Sequence, residues 1–244
     1  MRPVRRNASP QINDFDDYRK ALPFLTSRLG SYCSYCERKI VSQLAVEHIQ
    51  PKGLAPYVHL IGRWDNFLLA CVNCNSTKGD KDVSLVNVLL PDRDNTFLAL
   101  TYEQNGTVRP SAGVPAPVQA AAAGTLALVG LDKSVLQVHD ENGKLVAIDR
   151  VSQRMEAWLL ALDARSDVDS NPGNTAVRRQ VARLATEKGF FSIWMAAFDG
   201  DLDMRNRLID TFAGTRGSAC FDPDTTQPAS PAPNPDGLPY GAKA

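Results

Sequence analysis

The chain has 244 residues, 43% of them hydrophobic and 22% charged, enough apolar material for one substantial core or for a small core with a second lobe. No apolar run approaches the ~20 residues of a membrane-spanning helix, and the basic start Met1-Arg2-Pro3-Val4-Arg5-Arg6 leads into no apolar stretch, so neither a membrane anchor nor a secretory signal is expected and the cytoplasm is the expected location. The formal net charge is zero, which gives no general pull on a polyanion, yet residues 1–81 carry 12 Lys/Arg against 7 Asp/Glu while residues 82–244 carry 15 against 20.

Residues 1–13 are basic and polar and read as an arm. Asp14 to Gly30 reads as a helix, with Asp14 and Asp16 in its first turn, Gly30 at its stop and Pro23 bending or interrupting it; 1–30 is the first unit. Residues 31–104 form the second. They are dense in Cys, His, Asn and aromatic residues up to 81, then apolar and β-leaning over 82–100, with a turn at Pro91-Asp92. Residues 105–124, rich in Gly, Pro, Ala and Val, read as a linker. Residues 125–222 read as mostly helical. Leu126 to Asp132 and Leu145 to Ile148 suggest short strands or helix starts around the turn Glu141-Asn142-Gly143. Met155, Trp158, Leu159 and Leu162 recur at helical spacing over Arg150 to Ala164. Thr175 to Ala197 is a second helical stretch, broken at Gly189, and Met204 to Phe212 a third. Phe190, Phe191, Trp194 and Phe198 read as core, with a docking face as the alternative. Residues 223–244 contain six prolines and read as a disordered tail.

Four of the five cysteines form two C-x-x-C pairs, Cys33/Cys36 and Cys71/Cys74. A C-x-x-C turn delivers two thiolates from one knuckle, and two knuckles close a tetrahedral structural zinc site. A redox dithiol needs only one pair and a βαβ context, which this segment lacks. Cys220 stands apart as a packed thiol.

Between and after the cysteines lie Ala45-Val46-Glu47-His48-Ile49-Gln50-Pro51-Lys52 and Trp64-Asp65-Asn66, then Cys71-Val72-Asn73-Cys74-Asn75-Ser76-Thr77-Lys78. In this order the segment resembles an HNH endonuclease with a four-cysteine zinc site, in an H-N-N variant. The resemblance implies an α+β chain with a ββα-metal (His-Me finger) core and a mostly helical C-terminal region. It implies that Glu47 and Asn75 hold a divalent ion, that His48 is the general base and that Asn66 orients the His48 ring. An amide oxygen in place of the more usual His makes Mg²⁺ or Mn²⁺ the expected ion. Lys78 and Lys52 are candidate phosphate contacts. Glu47 and His48 are adjacent on a strand and so point to opposite faces; they can serve one site only near a strand end or a distortion.

His59, in the apolar run Tyr57 to Ile61, reads as packing or a DNA-facing loop. His139 belongs to no constellation, Trp64 reads as core, and Arg38 and Lys39 as solvated. The basic arm, Tyr32 to Glu37, Leu128 to Asp132, Gly189 to Trp194 and Phe212 to Thr215 resemble bacterial HNH proteins found beside retrons and in Septu-type phage defence. That resemblance implies an ATPase partner. The expected function is therefore metal-dependent cleavage of DNA in anti-phage defence; a non-catalytic zinc adaptor for nucleic acid or protein is the alternative.

Overall fold

The computed structural model describes residues 1–133 and 149–244 of the chain. The turn expected at Glu141-Asn142-Gly143, the segment Leu145 to Ile148 and His139 lie outside the described residues. Asp17 accepts from Arg19 N and starts a 3-10 turn, Tyr18–Ala21, that runs into α1, Leu22–Leu29. Pro23 stands in the first turn of α1, where its missing N–H forfeits no helical hydrogen bond, so it begins the helix instead of bending it. Gly30, at φ +74°, ends it.

β1, Ala45–His48, pairs antiparallel with β2, Phe67–Ala70, Ala45 opposite Ala70 and His48 opposite Phe67. α2, Val72–Lys78, follows β2 directly. This is the expected ββα unit. Alternate residues of the hairpin serve two cores. Val46, Phe67 and Leu69 pack with Phe15, Leu25 and Leu29. Leu68 and Ala70 join the larger core, which holds the four paired cysteines.

Beyond α2 the chain departs from several expectations. Residues 82–95 form turns, not strands, and lead to a short α3, Thr96–Ala99. β3, Leu100–Tyr102, pairs with β4, Val108–Pro110. α4 spans Ala116–Val129. Residues 105–124 are therefore no linker: Gly106 closes the β3–β4 turn by donating to Glu103 O at 2.9 Å, and the prolines precede an alanine run with high helix propensity. Leu126 to Asp132, expected to start an element, ends one, with Gly130 in the left-handed conformation capping α4.

The C-terminal region is helical as expected: α5, Arg150–Ser170; α6, Thr175–Lys188; α7, Phe191–Ala197; and α8, Leu202–Thr211. Gly189 breaks α6 from α7 at φ +79°, and a Cβ there would lie 2.7 Å from Glu37 O. The buried stripe of α5 differs from the expected one. It runs through Val151, Arg154, Ala157, Trp158, Ala161, Ala164 and Val168, and Leu159 is left 70% exposed. Phe190, Phe191, Trp194 and Phe198 are buried core.

Both chain ends are tied down. Arg2 and Arg6, expected in a basic arm, are buried. The proline-rich segment 223–244, expected to be disordered, lies against residues 93–95 and the arm. Lys243 N donates to Asp94 Oδ1 at 3.0 Å, Asn95 Nδ2 to Ala229 O at 2.9 Å, and Arg5 pairs with Asp236 at 2.7 Å. Composition missed this because the segment's backbone groups are satisfied by turns and by partners elsewhere, such as Ala242 N donating to Arg93 O at 2.8 Å, not by regular secondary structure.

Candidate functional site

The two C-x-x-C knuckles meet. Cys33, Cys36, Cys71 and Cys74 are all buried, with their sulfurs within 4.8 Å of one another. Cys36 and Cys71 Sγ lie 3.7 Å apart, against about 3.8 Å for two sulfurs of a tetrahedral site with ordinary zinc–sulfur bonds. The first knuckle is locked to β2, Ser34 N donating to Leu69 O at 2.8 Å. Four thiolates around one zinc leave a net negative charge, and two guanidiniums stand beside it. Arg150 Nη1 donates to Cys74 Sγ at 3.2 Å. Arg38, expected in solvent, is half-buried; burial alone would lower its pKa, and the Cys36 and Cys71 sulfurs more than reverse this. Donor set and spacing fit zinc. Cys220 is buried elsewhere, outside the cluster.

A cleft of about 440 Å³ runs along β1. Leu44, Ala45, Val46, Glu47 and His48 all line it, together with Tyr18, Lys52, Asn75 and Lys78. Consecutive residues of both parities can line one cleft only if it opens on the strand's edge. Among the described residues β1 pairs with β2 alone, so its other edge carries no strand. That resolves the parity conflict between Glu47 and His48 without a distortion.

His48 Nε2 lies 3.0 Å from Ile61 O. A carbonyl only accepts, so Nε2 carries the proton and Nδ1 keeps its lone pair. The ring stands edge-on to Phe67 at 5.2 Å and to Tyr18 at 4.7 Å. Burial pushes the His48 pKa below its ordinary value, and the Lys52 and Lys78 charges add to the effect against the opposing Ile61 carbonyl.

The Asn66 side chain has no recorded hydrogen bond to the His48 ring, the contact the family resemblance implies. Its Oδ1 accepts from Gln50 N at 2.8 Å and its Nδ2 donates to Gln50 O at 3.0 Å. This pair of bonds, with a longer one from Nδ2 to Leu60 O at 3.4 Å, ties the loop after β1 that carries Ile61.

Glu47 is 2% exposed. Burial raises its pKa, and Lys78 opposes the rise. Lys78, expected on phosphate, is also 2% exposed, with Nζ 2.9 Å from Glu47 Oε1 and donating to His48 O at 2.7 Å. Its ammonium is committed inside the protein. The Lys78 approach to Oε1 is close but poorly aligned as a hydrogen bond, which leaves that oxygen without a well-directed donor. A buried carboxylate in that condition, facing the same cleft as the Asn75 amide, is a hard-oxygen donor set that fits Mg²⁺ or Mn²⁺. Lys52 is exposed at the mouth, its Nζ 2.6 Å from Tyr18 OH and 3.9 Å from the centre of that ring.

Tyr18 and Arg150 escaped the sequence reading. Neither belongs to a motif, and each reaches its site from a remote element. His59 is exposed on a 3-10 turn, Ala55–Leu60, away from the four-cysteine cluster. Trp64 is core, stacked on Phe15 at 6.0 Å.

Residues 33–81 match the family model described as HNH endonuclease. The match begins at Cys33 and takes in β1, β2, α2 and both cysteine pairs. No curated protein matches the chain.

Proposed function

From an HNH domain at residues 33–81, we propose that the chain is a metal-dependent endonuclease that hydrolyses phosphodiester bonds of DNA. The observation that carries this reading is the convergence of His48, Glu47 and Asn75 on one open cleft, with the His48 tautomer set by Ile61 O. Glu47 and Asn75 would hold Mg²⁺ or Mn²⁺. That ion, when bound, supplies charge neutralisation at the scissile phosphate and at the leaving oxygen. His48 Nδ1 takes the proton of the attacking water, and its lowered pKa keeps it neutral and ready near pH 7. The Ile61 carbonyl stabilises the imidazolium that results. Phe67 and Tyr18 hold the ring plane. Lys52, the exposed cation at the mouth, contacts the flanking phosphate.

The direct test is cleavage of supercoiled plasmid by the zinc-loaded chain with Mg²⁺ or Mn²⁺. His48→Ala should lower the rate about 10²–10⁴-fold with zinc content unchanged. Undiminished cutting by that variant would remove His48 from the mechanism. Plasmid binding without cutting by the wild-type chain would favour the zinc adaptor. The anti-phage role and the ATPase partner are proposed from the resemblance of the flanking motifs. The same His48→Ala variant tests them: phage protection by cells carrying the chain and its genomic neighbours should be lost with it.

A further inference from the structure

Lys78 is the last residue of α2, one turn after Asn75. Residues three apart on a helix share a face, so the amide and the ammonium lie on one side of α2, and both line the cleft with Glu47. A lysine with 2% exposure needs a charged or polar partner, and Lys78 has two, Glu47 Oε1 at 2.9 Å and His48 O at 2.7 Å. Among the described residues it forms the one ion pair recorded for Glu47.

We propose that Lys78 is the built-in counter-cation of Glu47, and that a divalent ion binding Glu47 at Oε1 displaces the Lys78 ammonium from that oxygen. The inference rests on the reading of Glu47 as a metal ligand. Three features support it. Two cations at one desolvated carboxylate repel strongly, because solvent and salt do little to screen them there. An unpaired buried carboxylate would weaken the hairpin, so a resident cation holds the site in shape before loading. The ammonium also has a second anchor, His48 O, so leaving Oε1 does not strand it without an acceptor. Lys78 thus stabilises the unloaded site and weakens divalent binding.

The test is Mn²⁺ binding to the zinc-loaded full chain, followed by the electron paramagnetic resonance signal of free Mn²⁺, with thermal unfolding alongside. The four thiolates prefer the softer zinc and do not compete for Mn²⁺. Lys78→Met should bind Mn²⁺ at least about tenfold more tightly than wild type, because removing a unit charge a few ångströms from the ion at the effective dielectric of a protein interior is worth more than one factor of ten. It should also melt lower without Mn²⁺ and gain more from its addition. Lys78→Gln, which keeps a donor for His48 O, should show the same tighter binding if the Met variant folds poorly. Equal or weaker Mn²⁺ binding by the lysine variants, with Glu47→Gln abolishing binding, would overturn the displacement while leaving Glu47 as ligand. Wild-type binding that survives Glu47→Gln would overturn both.

Discussion

His48 sets the pH response of the site. A general base works in its neutral form, so cleavage should rise with pH through the pKa of His48 and level off above it. Burial and the nearby Lys52 and Lys78 charges lower that pKa against the pull of Ile61 O, and a bound divalent ion acts in the same direction. The midpoint of the rising limb should therefore fall below the ordinary histidine value of about 6.5. Single-turnover cleavage between acid and neutral pH checks this, and a midpoint at or above the ordinary value would contradict the assignment. The residues of this cleft and cluster were legible because the proposed chemistry restricts residue type: thiolates for zinc, a carboxylate and an amide for a hard cation, an imidazole for the base. What orients the imidazole was not legible. The hydrogen bond recorded for the ring goes to a main-chain carbonyl, Ile61 O, which every residue possesses, while the Asn66 side chain pairs with Gln50. Lys78 was misplaced because a helix position one turn past Asn75 says nothing about whether its ammonium points to solvent or inward.

Zinc in the four-cysteine cluster would decide whether β1, β2 and α2 hold together. Two strands of four residues and a helix of seven are below the length at which either is stable alone. Cys71 and Cys74 join β2 to the first turn of α2, and Cys33 and Cys36 fasten the preceding knuckle to the same point. Metal binding then contributes directly to folding. The purified chain should contain one zinc per molecule. Cys71→Ser should lose the zinc and plasmid cleavage together, whereas Cys220→Ser should keep both. Elemental analysis beside the cleavage assay distinguishes these outcomes, and a zinc-replete, active Cys71→Ser would show that the cluster does not scaffold the cleft. The ββα order could be read from motif spacing because both knuckles and the His-bearing strand lie within one short segment. The elements at 105–129 were missed for the opposite reason. Gly and Pro dominate a composition window even when most of them sit at the turns and the helix start, and the alanine run that makes α4 carries no apolar periodicity strong enough to announce it.

At the scale of the whole molecule, the two chain ends and the HNH segment meet at residues 92–95, and charge pairing explains why the arm and the tail are ordered. Arg6, 1% exposed, reaches past the arm to Asp92 Oδ2 at 2.7 Å, and its guanidinium also donates to Trp64 O at 2.7 Å and to Phe67 O. Arg93 pairs with the same Asp92 oxygen at 3.0 Å and donates to Pro239 O at 3.1 Å in the tail. None of these pairings could be read from spacing, since Arg6 and Asp92 lie far apart in the chain. They also show why the basic excess of residues 1–81 overstates the surface available to phosphate, as Arg2, Arg6 and Lys78 are all buried. Asp92 is the one carboxylate shared by the two arginines. Burial alone would raise its pKa, but Arg93 and Arg6 more than reverse this and hold it below the ordinary aspartate range. A depressed carboxylate contributes stability that is fully present above its unfolded value of about 3.9 and is lost as pH falls through the lower folded value. Asp92→Asn should therefore cost about 3–5 kcal/mol at neutral pH, because it leaves two buried guanidiniums facing a neutral amide. The deficit should shrink as wild type and variant are compared at progressively lower pH, below about 4. Urea unfolding at a series of pH values measures both effects, and a variant as stable as wild type at pH 7 would show that Arg6 and Arg93 are held by their carbonyl partners alone.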